Sequence, residues 1–469
     1  MRRTKMVCTI GPASDETDIL AQLITAGLDV ARLNFSHGSP ESHGVVLGRI
    51  RAAAEAAGKE VAVLQDLPGP KIRTGSGAEI ELAPGAEVTV VPGSETTEPG
   101  AIGCTYAELG RELVTGDSIM LSDGFMELRV LEARSDAIRC TVVRGGSLRQ
   151  RQGVNLPGAK LSAQSPTDED LAFLEWGLDN CVDYAALSFV RRATDVKKAI
   201  DAAGDRAKDV RFVAKIERPE AVEDIDNILD VADAIMVARG DLGVELPPER
   251  IPLLQRQIIK KANAADKPVI TATQMLESMT EHSRPTRAEV SDVAHAIWDG
   301  TDAVMLSGET ASGKYPVQSA TLMARIAGAT DAEIEAHRGC TSEHPQMTGA
   351  QDVIGMAAEL LARNLDACAV VAATMSGETA RFVSMSRPHC GVIGLSPSAA
   401  TRRRMALYRG VTARPIDELR DQEVLAREAG KAAIDIGLGC EGSMVVLVYG
   451  EPMGSGVRAN TVRLSRVEG

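Results

Sequence analysis

The chain has 469 residues, a length that accommodates about three domains of ordinary size. Its 51 Lys and Arg residues and 65 Asp and Glu residues give a formal net charge of −14, which argues against nucleic acid and anionic membranes as partners, because both select a basic surface. Hydrophobic residues at 44% and charged residues at 25% exclude a disordered or fibrous chain.

Short apolar segments alternate with longer segments of helical periodicity over much of the chain. Eight of the short segments are predicted strands: Lys5–Ile10, Val30–Ser36, Val61–Leu67, Tyr184–Val190, Arg211–Glu217, Ala234–Gly240, Pro268–Gln274 and Ala303–Glu309. They are nearly continuous in apolar residues, which is typical of parallel strands covered on both faces. Eight such units predict an α/β fold, a (β/α)8 TIM barrel.

The alternation is interrupted once, after the third predicted barrel strand. Between Lys71 and Val154 the sequence has short strand patterns separated by Gly, Pro and Asp turns, and long helices are absent from the pattern. The predicted strands there are Glu79–Leu82, Glu87–Val91, Ser118–Leu121, Met126–Leu131 and Ile138–Val143. We therefore predict a small all-β domain inserted over the C-terminal mouth of the barrel, where the βα-loops carry function.

A second alternation follows the barrel and predicts an open α/β domain. Its predicted elements are the helices Val353–Arg363, Glu378–Ser386, Ala400–Leu407 and Glu418–Ile436 and the strands Cys368–Ala373, Gly391–Leu395, Gly410–Ala413 and Met444–Tyr449. The predicted domains are residues 1–70 (barrel, first part), 71–154 (inserted β-barrel lid), 155–335 (barrel, second part) and 345–469 (C-terminal regulatory domain). Arg338–Thr348 is the predicted connection.

Polar residues stand at the C-terminal ends of six predicted barrel strands. They are Asn34, Ser36, Asp66, Lys215, Glu217, Arg239, Asp241, Thr273, Ser307 and Glu309. Since these strand ends converge on one mouth of a barrel, we expect a functional site there. Any single residue of this set is equally compatible with a solvated loop, so the prediction depends on the agreement among strands.

Lys215 and Glu217 alternate along one predicted strand, so their side chains share the barrel interior. This spacing is compatible with a structural salt bridge. Glu217 and Asp241 are also suited to holding one hard divalent cation, with positions left for water and a substrate phosphate. In that arrangement the Lys215 ammonium is directed at the same phosphate.

A glycine-rich turn at Ala238–Gly243 offers backbone amides that are suited to a carboxylate or a phosphate. Such turns are common, so this one by itself does not identify a ligand. Arg32 and Arg73 add guanidinium groups, whose planar geometry matches phosphate oxygens.

Nine strings extend these motifs over most of the chain: Lys5–Pro12, Arg32–Gly38, Gly69–Gly75, Gly153–Gly158, Lys215–Glu217, Met236–Glu245, Ile270–Met275, Arg284–Glu289 and Asp299–Thr310. In this order they resemble the pyruvate kinase family. A barrel with an inserted β domain and a C-terminal α/β domain also agrees with that family's architecture.

The resemblance implies phosphoryl transfer from phosphoenolpyruvate to ADP, with pyruvate and ATP as products. It implies that Glu217 and Asp241 hold Mg2+ (or Mn2+) and that Lys215 stabilises the phosphoryl group in transfer, as positioning and charge do in such reactions. Thr273 and Ser307 are implied in the protonation of the enolate through water, and the source of the proton stays open.

The resemblance also implies the ligand contacts. The implied substrate-binding residues are Arg32, Lys215, Gly240, Asp241 and Thr273. The implied nucleotide-binding residues are Asn34, His37, Arg73 and Arg151, and Arg73 also belongs to the catalytic set with Lys215, Thr273 and Ser307. A homotetramer is expected from the resemblance alone.

Lys71 departs from the family pattern, because potassium-dependent members have Glu at its position. The remaining monovalent-cation ligands match Asn34, Ser36, Asp66 and the Leu67 carbonyl. An ammonium group at Lys71 supplies the positive charge of that ion, so we predict activity without potassium.

Arg151 and Gln152 stand where many family members have two lysines. One contact to a nucleotide phosphate is therefore either absent or made by Arg151. The sequence alone leaves both alternatives open.

Thr374–Thr379 follows a predicted strand and opens a predicted helix, a hydroxyl-rich geometry suited to phosphate. It resembles the loop that binds an effector's phosphate in allosteric members. Met375 and Glu378 stand where forms responsive to fructose-1,6-bisphosphate can carry basic residues. The expected effector is therefore a sugar monophosphate or AMP, held by Thr374, Ser376 and Thr379. An unused helix cap is the alternative.

The run Arg402–Arg404 is predicted to form a solvated helix face rather than an effector site. The eight scattered cysteines have no ligand spacing and are predicted to be small buried thiols in a reducing compartment. They are Cys8, Cys104, Cys140, Cys181, Cys340, Cys368, Cys390 and Cys440. With no signal-peptide pattern and no apolar run of ~18 residues, we expect a cytoplasmic protein.

Three functions other than a kinase account for the site residues to different extents. A magnesium-dependent aldolase or lyase acting on pyruvate enolates accounts for Glu217, Asp241 and Arg239, but not for the inserted β domain. A Schiff base at Lys215 is a variant of that reading. A sensor without activity predicts a lost metal ligand or a lost cationic clamp, and these residues are all present.

Overall fold

The structure is a computed structural model, and it describes residues 2–468 apart from 78, 123, 160, 338–348 and 455. The predicted connection Arg338–Thr348, which includes Cys340, lies outside the described residues. Among the described helices, none combines the length and the apolar character needed to cross a membrane.

Eight parallel strands close into a barrel in chain order, which confirms the predicted TIM barrel. Their bounds are Lys5–Ile10, Val30–Asn34, Ala62–Asp66, Tyr184–Leu187, Arg211–Ile216, Ala234–Ala238, Val269–Ala272 and Ala303–Leu306. The eighth strand pairs with the first, for example Val304 with Met6. Seven observed strands end before the predicted ones, because the polar residues at their C-terminal ends leave the sheet to form the mouth.

Alternate residues of each strand point into the barrel. In the fifth strand, Val213 packs in the barrel interior, whereas Phe212 and Ala214 pack outward among the helices. Residues of the inward set are apolar at the centre of the barrel. Toward the C-terminal ends the same alternation places Lys215 and Asp66 at the mouth, which is why polar residues gather there.

Helices surround the barrel and follow its strands. They are Thr17–Ala26, Pro40–Ala56, Asp168–Asp179, Ala193–Ala203, Pro219–Glu223, Ile225–Val231, Arg239–Glu245, Ile251–Ala264, Arg287–Trp298, Gly308–Ala311 and Pro316–His337. Capping boxes start several of them; for example, Thr167 accepts from the Asp170 amide and Thr286 accepts from the Glu289 amide. Such caps satisfy amides that the first helical turn leaves unpaired.

The chain between the third and fourth barrel strands forms the inserted all-β domain. One sheet contains, in spatial order, Val154–Asn155, Ser118–Leu121, Met126–Ala133, Ile138–Arg144, Glu87–Pro92 and Ala101–Cys104. Two short sheets pair Gly146–Leu148 with Ile80–Leu82 and Ser76–Gly77 with Thr96–Thr97, and Leu109–Glu112 is a short helix. The domain has a hydrophobic core of its own, so it is built as a unit separate from the barrel.

The C-terminal domain is a five-stranded sheet with helices. The strands are, in spatial order, Val411–Pro415, Gly391–Ser396, Ala369–Ala373, Met444–Tyr449 and Thr461–Arg466, and the helices are Ala350–Asn364, Glu378–Met385, Ala399–Arg404 and Gln422–Asp435. The antiparallel edge strand Thr461–Arg466 was not predicted, because its charged residues obscure a strand pattern. The last helix starts later than predicted, since Asp421 caps it by accepting from the Glu423 and Val424 amides.

The arginine run Arg402–Arg404 docks the C-terminal domain onto the barrel. Arg402 Nε donates to Glu60 at 2.6 Å and Arg403 Nε donates to Asp183 at 2.9 Å. The predicted solvated helix face is therefore wrong. Carboxylates that are distant in sequence turn this face into an interdomain contact.

The cysteine prediction holds in part. Cys8, Cys104 and Cys140 are buried, but Cys181 and Cys440 are exposed. Both exposed cysteines lie in turns after helices, where tertiary structure leaves the side chain uncovered. The seven cysteines within the described part of the chain are all free thiols.

Candidate active site

Two cations and two carboxylates form the centre of the barrel mouth. Lys215 Nζ lies 2.8 Å from Glu217 Oε1 and 3.2 Å from Asp66 Oδ1. The other oxygen of Asp66, Oδ2, accepts a hydrogen bond from Arg32 Nε at 2.6 Å. Asp66 therefore brings together the two cations that the sequence predicts as substrate ligands.

Two hydroxyl groups that the sequence analysis missed complete this cluster. Ser188 Oγ accepts from Lys215 Nζ at 2.6 Å and donates to Asp66 Oδ1 at 3.3 Å. Thr9 Oγ1 accepts from Arg32 Nη1 at 2.8 Å. Both residues belong to the inward-pointing set at the C-terminal end of a strand, and this alternation is the signal that could have identified them.

The charged forms of Lys215 and Asp66 are favoured despite their burial. Burial lowers the pKa of Lys215, but the Asp66 and Glu217 carboxylates outweigh this effect and hold that pKa above its usual value. Burial likewise opposes ionisation of Asp66, yet Arg32 and Lys215 lower the pKa of Asp66. An ammonium held in this way stabilises a phosphate charge and is a poor nucleophile, which argues against a Schiff base at Lys215.

Glu217 and Asp241 fit a divalent cation. Burial raises the pKa of Glu217, and the neighbouring Asp241 raises that pKa further against the opposing charge of Lys215. A divalent cation between the two carboxylates would stabilise both as anions. Within the described residues, no group of three or more His, Cys, Asp or Glu side chains is arranged for a metal ion. A bound Mg2+ would therefore add substrate oxygens and water to these two ligands, as is usual for this ion.

The groups predicted to bind the substrate carboxylate lie together. Gly240 N donates to Thr273 Oγ1 at 2.8 Å, and Thr273 has a positive φ of 67°, which turns the chain sharply after the seventh strand. The Arg239 guanidinium donates to the Thr273 carbonyl at 2.6 Å and to Asp292 Oδ2 at 2.6 Å. Arg239 therefore supports the shape of this loop. The lyase alternative requires an arginine that contacts the substrate, and the guanidinium of Arg239 is already bound to protein groups.

Ser307 and Glu309 have different environments at the end of the eighth strand. Glu309 is fully buried and accepts from the backbone amides of Leu276 and Ser307 at 2.9 and 2.7 Å. Glu309 thus shapes the loop. The Ser307 hydroxyl is buried without a hydrogen-bond partner, so it is available to a water molecule or a ligand.

A cavity of about 370 Å³ lies between the barrel mouth and the lid domain. His37, Asp241 and Arg218 line it from the barrel, and Arg73 and Arg151 line it from the lid side. The basic side chains make this cavity locally positive on a chain that is acidic as a whole. The structure therefore brings the predicted nucleotide-binding cations to the same opening as the predicted metal ligand Asp241.

Lys71 lies in the same cavity. Burial and the neighbouring Arg73 and Lys215 lower its pKa to about 8, although Asp66 opposes this shift. In the described part of the chain, no carboxylate lies within salt-bridge distance of the Lys71 ammonium. Burial and Lys71 also lower the pKa of His37, so the imidazole of His37 is neutral at physiological pH.

The side chains of Arg151 and Gln152 differ in their contacts. Gln152 Oε1 accepts from Ser122 Oγ at 2.7 Å, which ties Gln152 to a turn of the lid. Arg151 has a positive φ of 52° and lines the cavity. Of this pair, Arg151 is therefore the residue available for a phosphate.

The predicted monovalent-cation region lies beside the charged cluster. Asn34 Oδ1 accepts from the Ser36 amide at 3.2 Å, which shapes the turn after the second strand. The Leu67 amide donates to the Ala186 carbonyl at 2.9 Å. Asp66, the carboxylate of this region, already neutralises Arg32 and Lys215.

A second cavity, of about 660 Å³, lies in the C-terminal domain. Thr374, Ser376 and Thr379 line it. Thr374 Oγ1 accepts from the Gly377 amide at 2.9 Å, and Gly377 has a positive φ of 94° that only glycine adopts easily. The three predicted effector residues therefore lie at one opening, at the start of the helix Glu378–Met385.

Arg458 is a further residue of this cavity that the sequence analysis missed. It comes after the strand Met444–Tyr449, and other residues near it in the sequence, such as Gly450 and Val457, also line the cavity. No local pattern connects Arg458 with Thr374–Thr379, since the two lie about 80 residues apart in the sequence. Only the tertiary structure brings a cation to the same cavity as the hydroxyl groups.

The fold and the mouth define a barrel enzyme of the phosphoryl-transferring class, with cations and a carboxylate pair at the C-terminal ends of its strands. The family model "Pyruvate kinase, barrel domain" matches residues 1–320, and "Pyruvate kinase, alpha/beta domain" matches residues 352–465. The chain belongs to the pyruvate kinase family and is a phosphotransferase enzyme.

Individual relatives agree with this assignment. The chain is 43% identical to a pyruvate kinase of Geobacillus stearothermophilus over 99% of this chain and 80% of the relative. It is 42% identical to that of Bacillus licheniformis over 96% of this chain and 78% of the relative. A crystal structure of a pyruvate kinase from Cryptosporidium parvum matches with a TM-score of 0.90 and 34% identity, over 99% of this chain and 96% of the other.

Proposed function

We propose that this enzyme transfers the phosphoryl group of phosphoenolpyruvate to ADP, giving pyruvate and ATP, and that it requires Mg2+ or Mn2+. The observation that carries this proposal is the ion-pair cluster at the barrel mouth. Lys215 Nζ lies 2.8 Å from Glu217 Oε1, and this distance supports a cation for the phosphoryl group next to the proposed metal ligand. Family members generally use Mg2+, which supports the assignment of Glu217 and Asp241.

Different residues of the chain contribute substrate binding, charge stabilisation and proton transfer. Lys215, Arg32 and Arg73 neutralise the transferring phosphoryl group, a role that positioning and fixed charge fulfil in this class of reaction. The backbone amides of Gly240 and Asp241 and the hydroxyl of Thr273 bind the substrate carboxylate; the 2.8 Å hydrogen bond from Gly240 N to Thr273 Oγ1 shows that two of these groups lie side by side. Glu217 and Asp241 would hold Mg2+, which would supply positive charge for the phosphate oxygens.

Phosphoryl transfer leaves an enolate, which must be protonated. The Ser307 hydroxyl is buried without a hydrogen-bond partner, and Thr273 lies at the neighbouring strand end. A water molecule between these hydroxyl groups is the proposed route of the proton. Neither hydroxyl is acidic by itself, so the proton comes ultimately from solvent.

The direct test is ADP-dependent release of pyruvate from phosphoenolpyruvate, measured with Mg2+ and with a chelator. Pyruvate formation that needs both ADP and the metal supports the proposal. Pyruvate formed without ADP would mean that water accepts the phosphoryl group, which is hydrolysis and would contradict the proposed transfer to ADP. Borohydride trapping with pyruvate would detect the Schiff base of the lyase alternative.

We propose further that the enzyme works without potassium. The cationic Lys71 in the cavity, without a salt bridge in the described residues, supports this proposal. Equal rates in sodium-only and potassium buffers are expected, and a large stimulation by potassium would contradict it.

A phosphorylated metabolite is the proposed activator, and it binds to the cavity of the C-terminal domain. The hydroxyl groups of Thr374, Ser376 and Thr379 line the cavity together with Arg458, while the second lining arginine, Arg381, is paired with Glu378, and this supply of positive charge suits a monophosphate better than a bisphosphate. Titration with sugar monophosphates and AMP at subsaturating phosphoenolpyruvate tests this, and the absence of any response would favour the helix-cap alternative.

A homotetramer in the cytoplasm is the proposed state. Exposed apolar residues on the C-terminal domain support self-association: Val353 and Leu360 on the helix Ala350–Asn364 and Leu464 on the edge strand, with exposed fractions of 50%, 59% and 42%. Unpaired strand edges and apolar faces are typical of interfaces. Sedimentation velocity distinguishes a tetramer from smaller species.

A further inference from the structure

A buried ion pair beside the predicted metal ligands has no part in the chemistry described above. Arg218 Nη1 donates to Glu245 Oε1 at 2.6 Å, and the two side chains are 9% and 1% exposed. Arg218 Nε also lies 3.6 Å from Glu220 Oε2. Buried ion pairs are weak contributors to net stability compared with hydrophobic packing, so stability alone is a poor explanation for this one.

The two partners belong to the two segments that carry the predicted metal ligands. Arg218 directly follows Glu217 at the end of the fifth strand. Glu245 is the last residue of the helix Arg239–Glu245 and lies about one turn beyond Asp241. The ion pair therefore links the segment of one ligand to the segment of the other.

The helix Arg239–Glu245 needs such links to hold its position. It has seven residues and no side-chain cap at its start, and helices this short are not stable by themselves. Its first turn is fixed by the hydrogen bond from Gly240 N to Thr273 Oγ1 at 2.8 Å. Its last turn is fixed by the ion pair to Arg218, so loss of the pair frees the end of the helix that follows Asp241.

Two parts of the lid domain meet this last turn as well. Burial raises the pKa of Glu245 to about 7, and two groups oppose this shift: the Arg218 guanidinium and a hydrogen bond from the backbone amide of Gly158, which lies in the segment that leads from the lid back to the barrel. Gly124, in a turn of the lid, lies next to Val244, since a Cβ added at Gly124 would make an ordinary van der Waals contact of 3.5 Å with the Val244 side chain. The ion pair thus lies where the two ligand segments and the lid converge.

We propose that Arg218 and Glu245 are positioning residues that fix the separation of the Glu217 and Asp241 carboxylates and thereby set the affinity for the divalent cation. They act through these two ligands. The inference rests on the proposed metal site, and its test separates the two.

The test measures binding of Mn2+ to the full chain without substrates, from the electron paramagnetic resonance signal of free Mn2+. Glu245→Gln and Arg218→Met are expected to weaken Mn2+ binding about tenfold or more, as changes to residues behind metal ligands do. Arg218→Lys keeps the charge and is expected to recover part of the affinity. The Mg2+ concentration for half-maximal activity is expected to rise in parallel.

A folded double variant keeps the test decisive, because each single change leaves a buried charge unpaired and destabilises the protein. R218M/E245M removes both charges and is expected to fold with a Tm near that of the wild type, yet to bind Mn2+ as weakly as the single variants. Arg409→Met is the matched control. It breaks a pair of similar burial with Asp331, 7% and 1% exposed, and is expected to lower the Tm without changing the affinity for Mn2+.

The variant Glu217→Gln distinguishes failure of the proposed metal site from failure of the proposed positioning role. If it leaves Mn2+ binding unchanged, the metal site is assigned wrongly and the positioning role falls with it. If Glu217→Gln weakens binding while the folded R218M/E245M variant binds Mn2+ like the wild type, the metal site stands and the positioning role is overturned.

Discussion

The barrel mouth and the cavity of the C-terminal domain both gather groups suited to phosphate, but they do so by different means. In the mouth, Asp66 holds Arg32 and Lys215 in fixed positions through short ion pairs. In the C-terminal cavity, hydroxyl groups lie at the start of a helix, and Glu378, a carboxylate of the lining, is paired with Arg381 at 2.8 Å.

This difference matches the tasks proposed for the two sites. Stabilising a transition state requires charges that do not reorganise during the reaction, and buried ion pairs provide them. A reversible sensor requires contacts that exchange readily with water, as hydroxyl groups and exposed amides do. Changes at the mouth are therefore expected to have large effects on turnover, and changes at the C-terminal cavity small ones on its regulation.

The largest effect is expected from Lys215→Met. Loss of the ammonium removes the positive charge that stabilises the phosphoryl group during transfer. It also leaves the Asp66 and Glu217 carboxylates without the cation that offsets their mutual repulsion. We therefore expect kcat to fall on the order of 10²–10³-fold or more. Steady-state kinetics measures this, with Lys261→Met, which breaks an exposed ion pair with Asp226, as control. Near-wild-type turnover of Lys215→Met would rule out the assigned role.

Glu217→Gln is expected to raise the Mg2+ requirement. The amide removes a negative charge from the metal site, so the Mg2+ concentration for half-maximal activity increases on the order of 100-fold. Glu220→Gln is the control, because Glu220 lines the same cavity without being a predicted ligand. Equal Mg2+ dependence of the two variants would contradict the assignment.

Lys71 gives a pH dependence of intermediate size. Its pKa of about 8 means that the ammonium is charged below this pH and neutral above it. In sodium-only buffer, kcat/KM for phosphoenolpyruvate is therefore expected to fall as the pH rises through about 8, since this parameter reports ionisations of the free enzyme. Lys71→Glu is expected to reduce this decline with pH and to make activity depend on potassium. If the activity of this variant does not respond to potassium, the Lys71 ammonium does not take the place of the potassium ion.

The smallest effect is expected from Ser376→Ala. Loss of one hydroxyl contact costs about 0.5–1.5 kcal/mol, so the activation constant of a phosphorylated effector rises roughly two- to tenfold. Turnover without effector is the internal reference. An unaltered activation constant in Ser376→Ala, together with an unaltered one in Arg458→Met, would place the effector elsewhere.

The sequence by itself determined the barrel, the inserted domain and most of the mouth. Eight continuously apolar segments require parallel strands, and the alternation within each strand directs Lys215, Asp66 and Arg32 to one end of the barrel. These features depend on local periodicity, which a single sequence contains.

Only the tertiary structure decided which polar groups meet across strands. Asp66 as the bridge between Arg32 and Lys215, the Arg218–Glu245 pair and the docking of Arg403 onto Asp183 join residues that lie from 27 to 220 positions apart. No local pattern encodes such pairs, because they arise where the closure of the barrel and the packing of domains bring distant side chains within hydrogen-bond distance. The −14 net charge, likewise, permits anionic substrates only because folding concentrates the cations at one mouth.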